Sequence, residues 1–169
     1  MKATLEKLNE LARAGIMEKY AIGGGIAHFY YIEAGTTYDL DVMVVMKLQQ
    51  TSLISMNPFY EWARSNGYEI LDEHIVIEGI PVQFLPAYNP LIIEAVEQAR
   101  EVELFGIKTF IIQPEYLMAI MLDTNRPKDR ERLLRFFAEC SFSQELFMTV
   151  LQKFKLTEKY TALRAKYGE

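Results

Sequence analysis

The sequence predicts an α/β (α+β) protein, a short mixed sheet flanked by helices with a C-terminal helical extension. Three observations predict it. Strand-like runs alternate with helical periodicity up to about residue 113, every segment beyond Pro114 repeats at helical spacing, and half of the 169 residues are apolar. A chain of this size can bury one core. The expected division is a core over residues 1–113 and a helical region over 114–169 that packs on it without being an independent domain.

Leu5, Leu8, Leu11 and Ala12 recur at helical spacing and predict an amphipathic helix ending near Gly15. Tyr20 to Ile22 reads as a strand running into Gly23, Gly24 and Gly25. Ile26, Phe29 and Tyr30 then repeat at helical spacing as far as Gly35, a helix stop. Thr37 to Met46 is rich in β-branched and apolar residues and reads as a strand. Asn57-Pro58 predicts a cap and a first-turn proline for a helix running to about Asn66-Gly67. Three short strands are expected at Glu69 to Leu71, His74 to Ile77 and Ile80 to Leu85, with Glu78-Gly79 as a turn. Asn89-Pro90 opens a helix expected to run through about Glu103, because Leu91, Ala95, Val96, Ala99 and Val102 share one side. Lys108 to Ile112 is the last expected strand. Helices are then expected at Glu115 to Asp123, Lys128 to Glu139, Gln144 to Phe154 and Glu158 to Lys166.

Composition narrows the function. The apolar runs are broken well short of the roughly 18 residues of a membrane span, and the first eleven residues read as a charged amphipathic helix. A soluble, cytoplasmic chain without a signal peptide or membrane association is expected. The single cysteine, Cys140, has no partner within the chain, and no Cys or His cluster has ligand spacing. Up to residue 125 there are 8 Lys and Arg against 17 Asp and Glu, and beyond it 10 against 6. An acidic body with a basic end does not suit general nucleic-acid coating, although it leaves room for a local phosphate-facing patch.

The glycines and the two aspartates carry the chemistry. A helix of about ten residues after the glycines covers roughly 15 Å, and the steps from Thr36 to Asp41 at about 3.3 Å each retrace that distance. Asp39 and Asp41 are therefore expected beside the glycines, and two residues apart on a strand they share a face. A glycine-rich helix entry offers free N–H groups to phosphate, and two carboxylates with substrate phosphates suit Mg²⁺. A solvated strand edge would continue polar along that face. Met43 and Val45 follow instead. Two carboxylates roughly 6 Å apart at an effective dielectric near 20 repel by on the order of 3 kcal/mol before screening, which favours a cation between them.

At these residues the chain resembles the DNA polymerase β-type nucleotidyltransferase superfamily, in particular its small bacterial and archaeal members related to abortive-infection toxins. The resemblance rests on Gly23-Gly24 with Thr37-Tyr38-Asp39-Leu40-Asp41-Val42 after the helix. It continues in Ile80-Pro81-Val82-Gln83-Phe84-Leu85, Ile112-Gln113-Pro114-Glu115-Tyr116-Leu117 and Arg126-Pro127-Lys128-Asp129. It implies the nucleotidyltransferase fold. It also implies that Gly23 and Gly24 hold a triphosphate, that Asp39 and Asp41 are catalytic and bind two Mg²⁺ ions (Mn²⁺ as substitute), and that NMP passes to a hydroxyl as pyrophosphate leaves. Thr37, Gln83, Lys128 and Asp129 join the implied nucleotide-binding set, Lys128 neutralising phosphate charge and Asp129 orienting basic groups or substrate. The implied partners are an NTP, an acceptor that is RNA, a protein or a small hydroxyl compound, and a partner protein encoded nearby.

Two departures bear on this. Gly25 stands where many members have serine, and Gln83 stands where the third carboxylate is expected. An amide oxygen is a neutral, weaker ligand and takes no proton from a hydroxyl. A nucleotide-binding pseudoenzyme and a plain interaction module are the alternatives. His28, one turn after Gly24, is expected to face either solvent or a phosphate, and His74 to be an ordinary histidine between two strands. Tyr20, Tyr30, Tyr31, Phe84 and Tyr88 are expected to fill the core or stack a base.

Overall fold

The structure is a computed structural model that describes residues 1–32, 37–46 and 55–167. The elements follow in chain order as α1 (Lys2–Arg13), β1 (Lys19–Ile22), α2 (Gly24–Ile32), β2 (Leu40–Val45), α3 (Asn57–Ser65), β3 (Glu69–Leu71), β4 (His74–Ile77) and β5 (Ile80–Pro86). After them come α4 (Pro90–Glu97), β6 (Arg100–Leu104), β7 (Ile107–Ile111), α5 (Pro114–Thr124), α6 (Pro127–Glu139), α7 (Gln144–Lys153) and α8 (Thr157–Tyr167). The helix stop expected at Gly35 lies outside the described residues.

Seven strands form one mixed sheet in the order β3-β4-β5-β2-β1-β7-β6. The central strands β5 and β2 run parallel, β2 and β1 antiparallel, and β1 and β7 parallel. Besides the short β3–β4 hairpin, two hairpins close the flanks. Between β4 and β5 the turn residues Glu78 and Gly79 both have positive φ, 52° and 78°, the two-residue turn whose twist matches that of paired strands. Phe105 and Gly106, at 52° and 76°, do the same between β6 and β7.

The second hairpin corrects the sequence reading, which carried α4 through Glu103. Helix α4 opens as expected, with the Asn89 side chain accepting from the Ile92 N–H at 2.8 Å and Pro90 in the first turn, but it ends at Glu97. Residues 101–104 alternate charged and apolar with a period of two, and Val102 satisfies both that period and the helical one. Pairing decides between them: Arg100 to Leu104 lies antiparallel to β7, with Lys108 reaching Glu101 at 3.1 Å. Charged Arg100, Glu101 and Glu103 also make this outer strand a poor template for further pairing. Two smaller differences concern β2, which becomes regular only at Leu40, and Asn57, which makes no capping bond although Pro58 sits in the first turn of α3.

The core spans the sheet and the C-terminal helices in a single cluster. Leu5, Leu8 and Leu11 of α1 are fully buried, and burial of such side chains stabilises by about 1.5–3 kcal/mol each. Helix α5 is the hub, buried at seven of its eleven positions and packed against α4, α6, α7 and α8. The Tyr116 hydroxyl donates to Glu94 at 2.9 Å, and one oxygen of the buried Glu115 carboxylate accepts the Ser143 N–H at 2.6 Å while the other has no hydrogen-bond partner. Among the described residues no helix is long and apolar enough to cross a membrane.

The α5–α6 junction positions the basic helix. Asn125 ends α5 in the left-handed conformation, and Pro127 starts α6 where a missing N–H costs nothing. Asp129, almost wholly buried, accepts from the Arg126 side chain at 2.6 and 3.1 Å, from the Thr124 hydroxyl at 2.8 Å and from the Arg126 N–H at 3.3 Å. Burial alone would raise the pKa of this carboxyl, but the hydrogen bonds from Arg126 and Thr124 outweigh it and hold the pKa below the ordinary value. A lowered pKa means that Asp129 stabilises the fold above the unfolded-state pKa and that this contribution is lost as pH falls through the folded one. Asp129→Ala is expected to cost about 2 kcal/mol at neutral pH, the sum of a cap and a charge-assisted hydrogen bond. In urea titrations the gap between native and variant should narrow toward pH 3. A constant gap across that range would show that Asp129 is not what ties the two helices together.

Candidate functional site

The site forms where α2 begins against β2. Gly24 has φ +52°, and a Cβ placed there would lie 1.6 Å from the Asp41 Oδ2. Only glycine lets the helix start rest on that carboxylate. The Gly23 N–H donates to the Asp41 carbonyl at 2.9 Å, and the Gly25 N–H lies near enough to the Asp41 carboxylate to pull its pKa down slightly. The expected return of the aspartate to the glycines is what the backbone makes.

Gly25 explains itself in the same way. A Cβ there would lie 2.7 Å from both Cβ and Oγ1 of Thr37, so a serine would collide with the threonine. Thr37 uses the space. Its hydroxyl donates to Asp39 Oδ1 at 2.5 Å and fixes that carboxylate just before β2 begins.

Cross-strand register supplies the rest. Asp41 is paired with Gln83 on β5, and Gln83 is paired with His74 on β4. Paired residues project from the same face of a sheet, so His74, Gln83 and Asp41 form a row across three strands. At its end His74 Nε2 comes within 4.0 Å of Asp39 Oδ2, both side chains remaining partly open to solvent. Sequence reading treated His74 as unremarkable. The signal for it was the Glu78-Gly79 turn, from which counting back along the hairpin places His74 opposite Gln83.

Asp41 is electrostatically unsettled. Its pKa is raised above the ordinary 3.8, first by burial and then by the charge of Asp39, while Lys128, Arg132 and the Gly25 N–H pull it back. Lys128 is exposed at the start of α6, and among the described residues neither Lys128 nor Arg132 has a carboxylate partner of its own. Asp129 orients a basic group, one of the two parts expected of it, and that group is Arg126. Its oxygens are taken by Thr124 and Arg126, so it holds the helix that carries Lys128.

His28 is buried, not on the helix surface, with its ring 5.1 Å from that of Phe136. Burial and then the charges of Arg132 and Arg135 lower its pKa to about 4, so it is neutral at pH 7. It lines a cavity of about 70 Å³ behind Gly24 together with Met43, Asp129 and Phe136, too small for a nucleotide. A larger cavity of about 490 Å³ lies away from both aspartates, between α1, β1, α4 and β7. Of the aromatic residues, Tyr20 and Phe84 are core, while Tyr88 and Tyr38 stand exposed. Among the described residues no three His, Cys, Asp or Glu side chains converge tightly enough to hold a metal ion unaided. Two carboxylates with open positions for phosphate and water suit Mg²⁺ better than a closed cage would.

No protein-family profile matches the chain, and no curated protein does. Among solved structures, an antigenic nucleotidyltransferase-like protein from Paracoccidioides brasiliensis superposes with a TM-score of 0.55 at 15% identity, over 97% of this chain and 91% of that one. The antibiotic-resistance factor ANT(2'')-Ia is similar at 16% identity, with a TM-score of 0.49 over 98% of this chain and 90% of that one in its solution structure. In complex with adenylyl-2"-tobramycin its TM-score is 0.48, over 97% of each chain. The fold of this chain is nucleotidyltransferase-like.

Asp41 yields a test by linkage. A carboxyl whose pKa is raised in the folded state favours the fold below the unfolded-state pKa, and that contribution is lost as pH rises through the folded pKa. Asp41→Asn is therefore expected to leave the cation-free protein at least as stable as the native chain at pH 7. Native stability alone should decline between pH 4 and neutrality relative to that variant. A variant clearly less stable at pH 7 would mean that the carboxylate is held by groups that compensate its charge.

Proposed function

We propose that the protein is a nucleotidyltransferase-like enzyme that binds Mg-NTP at Gly23, Gly24, Asp39 and Asp41 and passes NMP to a hydroxyl acceptor. The observation that carries this is the half-buried Asp41 carboxylate resting on a glycine helix start, with a second carboxylate two residues away and a free lysine nearby. A structural aspartate has no use for an uncompensated charge there.

The donors fit a divalent ion: two carboxylates, the Gln83 amide oxygen and space for phosphate oxygens. Bound Mg²⁺, or Mn²⁺ in its place, neutralises the triphosphate and makes the attacking hydroxyl more acidic. The Gly24 N–H at the start of α2 and the Lys128 ammonium hold phosphate oxygens, while Gly23, its own N–H taken by the Asp41 carbonyl, shapes the turn. Thr37 keeps Asp39 aimed at the site. The acceptor oxygen attacks the α-phosphorus, the bond to the bridging oxygen breaks, and pyrophosphate leaves. Gln83 takes up no proton, so the hydroxyl proton goes to solvent, and turnover is expected to be slow and to rise with pH.

RNA, a protein or a small hydroxyl compound is the acceptor class, and a cytoplasmic, toxin-antitoxin-like setting related to abortive infection, with a partner protein encoded nearby, fits the sequence motifs. We also take residues 114–169 as part of the same unit as residues 1–113, because α6 delivers Lys128 to the site. Gln83 favours a second reading, a pseudoenzyme that binds nucleotide and acts through a partner.

Incubation with labelled NTPs, Mn²⁺ and a cell lysate separates the readings. Label transfer by the native chain is expected, and Gln83→Asp should accelerate it by roughly 10²- to 10⁴-fold by supplying a base. Labelling by Gln83→Asp alone would establish the pseudoenzyme, and absence of both labelling and NTP binding would end the nucleotide reading. Lys128→Ala should weaken NTP binding by about 1–3 kcal/mol, and Arg132→Ala by less.

A further inference from the structure

The row across the sheet has a donor that the reading above leaves unused. Where a third carboxylate is missing, β5 presents the neutral Gln83, and one strand further on β4 presents an imidazole. His74 Nε2 is 4.0 Å from Asp39 Oδ2. The other oxygen of Asp39 is taken by Thr37, which leaves Oδ2 as the one facing the histidine. Two donors each about 2.1 Å from a shared ion stand about 3 Å apart when adjacent and about 4.2 Å apart when opposite, so the observed separation spans one ion.

We propose that Asp39 and His74 share a divalent cation of the first transition row, with the Gln83 amide oxygen beside them and the imidazole nitrogen in place of the absent carboxylate. Oxygen-only sites suit Mg²⁺, whereas an imidazole shifts preference toward Co²⁺, Ni²⁺ or Zn²⁺. The two aspartates then differ in kind. Asp41, set against Gly24 and influenced by Lys128, serves the ion that travels with the triphosphate. Asp39, held by Thr37, shares that ion and, through the Oδ2 that faces His74, also serves a second ion that the protein itself selects. The inference takes its purpose from the nucleotide reading, but its geometry stands apart from it.

Co²⁺ is the probe, because its visible absorption and its paramagnetic shifts report ligation directly. The full chain is prepared without a histidine tag, stripped of metal, and titrated with Co²⁺ and with Mg²⁺, each with and without a non-hydrolysable NTP. One hyperfine-shifted, exchangeable imidazole proton is expected in the Co²⁺ form. His74→Ala should abolish it and weaken Co²⁺ binding by roughly tenfold or more, the scale for losing a group that supports a metal site. Mg²⁺ binding in the presence of NTP should change by less than a factor of two. His74→Gln, which preserves size and polarity, should behave as His74→Ala if ligation is what matters. Unchanged Co²⁺ affinity in both variants, or no shifted imidazole signal in the native chain, overturns the proposal. If in addition Asp41→Asn abolishes the stabilisation by Mg-NTP, the nucleotide reading survives that failure. Co²⁺ held through His74 with no response to any NTP upholds the metal pair and removes the nucleotide reading alone.

Discussion

The site depends on one close approach, that of the first turn of α2 to the Asp41 carboxylate. With a Cβ at Gly24 the helix would have to withdraw or the carboxylate turn away, because the intruding carbon would lie 1.6 Å from an oxygen. Gly25 extends the same economy to Thr37, which occupies the volume a side chain would need and from there fixes Asp39. Two missing methyl groups thus set the position of two carboxylates. A hydroxyl is present at this corner all the same, supplied by Thr37 on the facing segment.

How much of this could be read from the sequence depends on the range of the interaction. The return of Asp41 to the glycines follows from rise per residue in a helix and in a strand, so local arithmetic finds it. The fold class was equally legible, because alternation and helical periodicity are properties of short windows. The β6–β7 hairpin was hidden because Val102 fits either period, and pairing with Lys108 to Ile111 decides the matter from outside the window. His74 was hidden for the opposite reason. Its register with Gln83 is implied by the Glu78-Gly79 turn, but its approach to Asp39 crosses three strands, and no periodicity encodes that distance.

Asp129 shows what residue type alone does not say. Beside Lys128 at the start of a basic helix it reads as a site residue, yet its oxygens are engaged by Thr124 and Arg126. The sequence places a carboxylate at the third helical position, where an N-terminal cap and a substrate contact look alike. Burial separates them. A carboxylate that is almost fully enclosed and accepts four hydrogen bonds has little left to offer a ligand, whereas Lys128, one residue earlier and exposed, has all of its charge to give.

The uneven charge of the chain gains a meaning from this arrangement. The acidic part supplies Asp39 and Asp41, and the basic part begins with α6, whose first turn brings Lys128 toward them and whose second adds Arg132. Neither lysine nor arginine closes an ion pair with Asp41. Had one done so, the carboxylate would be neutralised within the protein and no cation would be required. Keeping the positive charges near but not in contact leaves Asp41 with a raised pKa in the isolated protein and leaves the lysine free. A ligand that brings both a divalent cation and a polyphosphate satisfies the two at once, the cation at the carboxylates and the anion at Lys128 and the helix start. On the proposed reading, a bare cation or a bare polyphosphate meets only half of that demand.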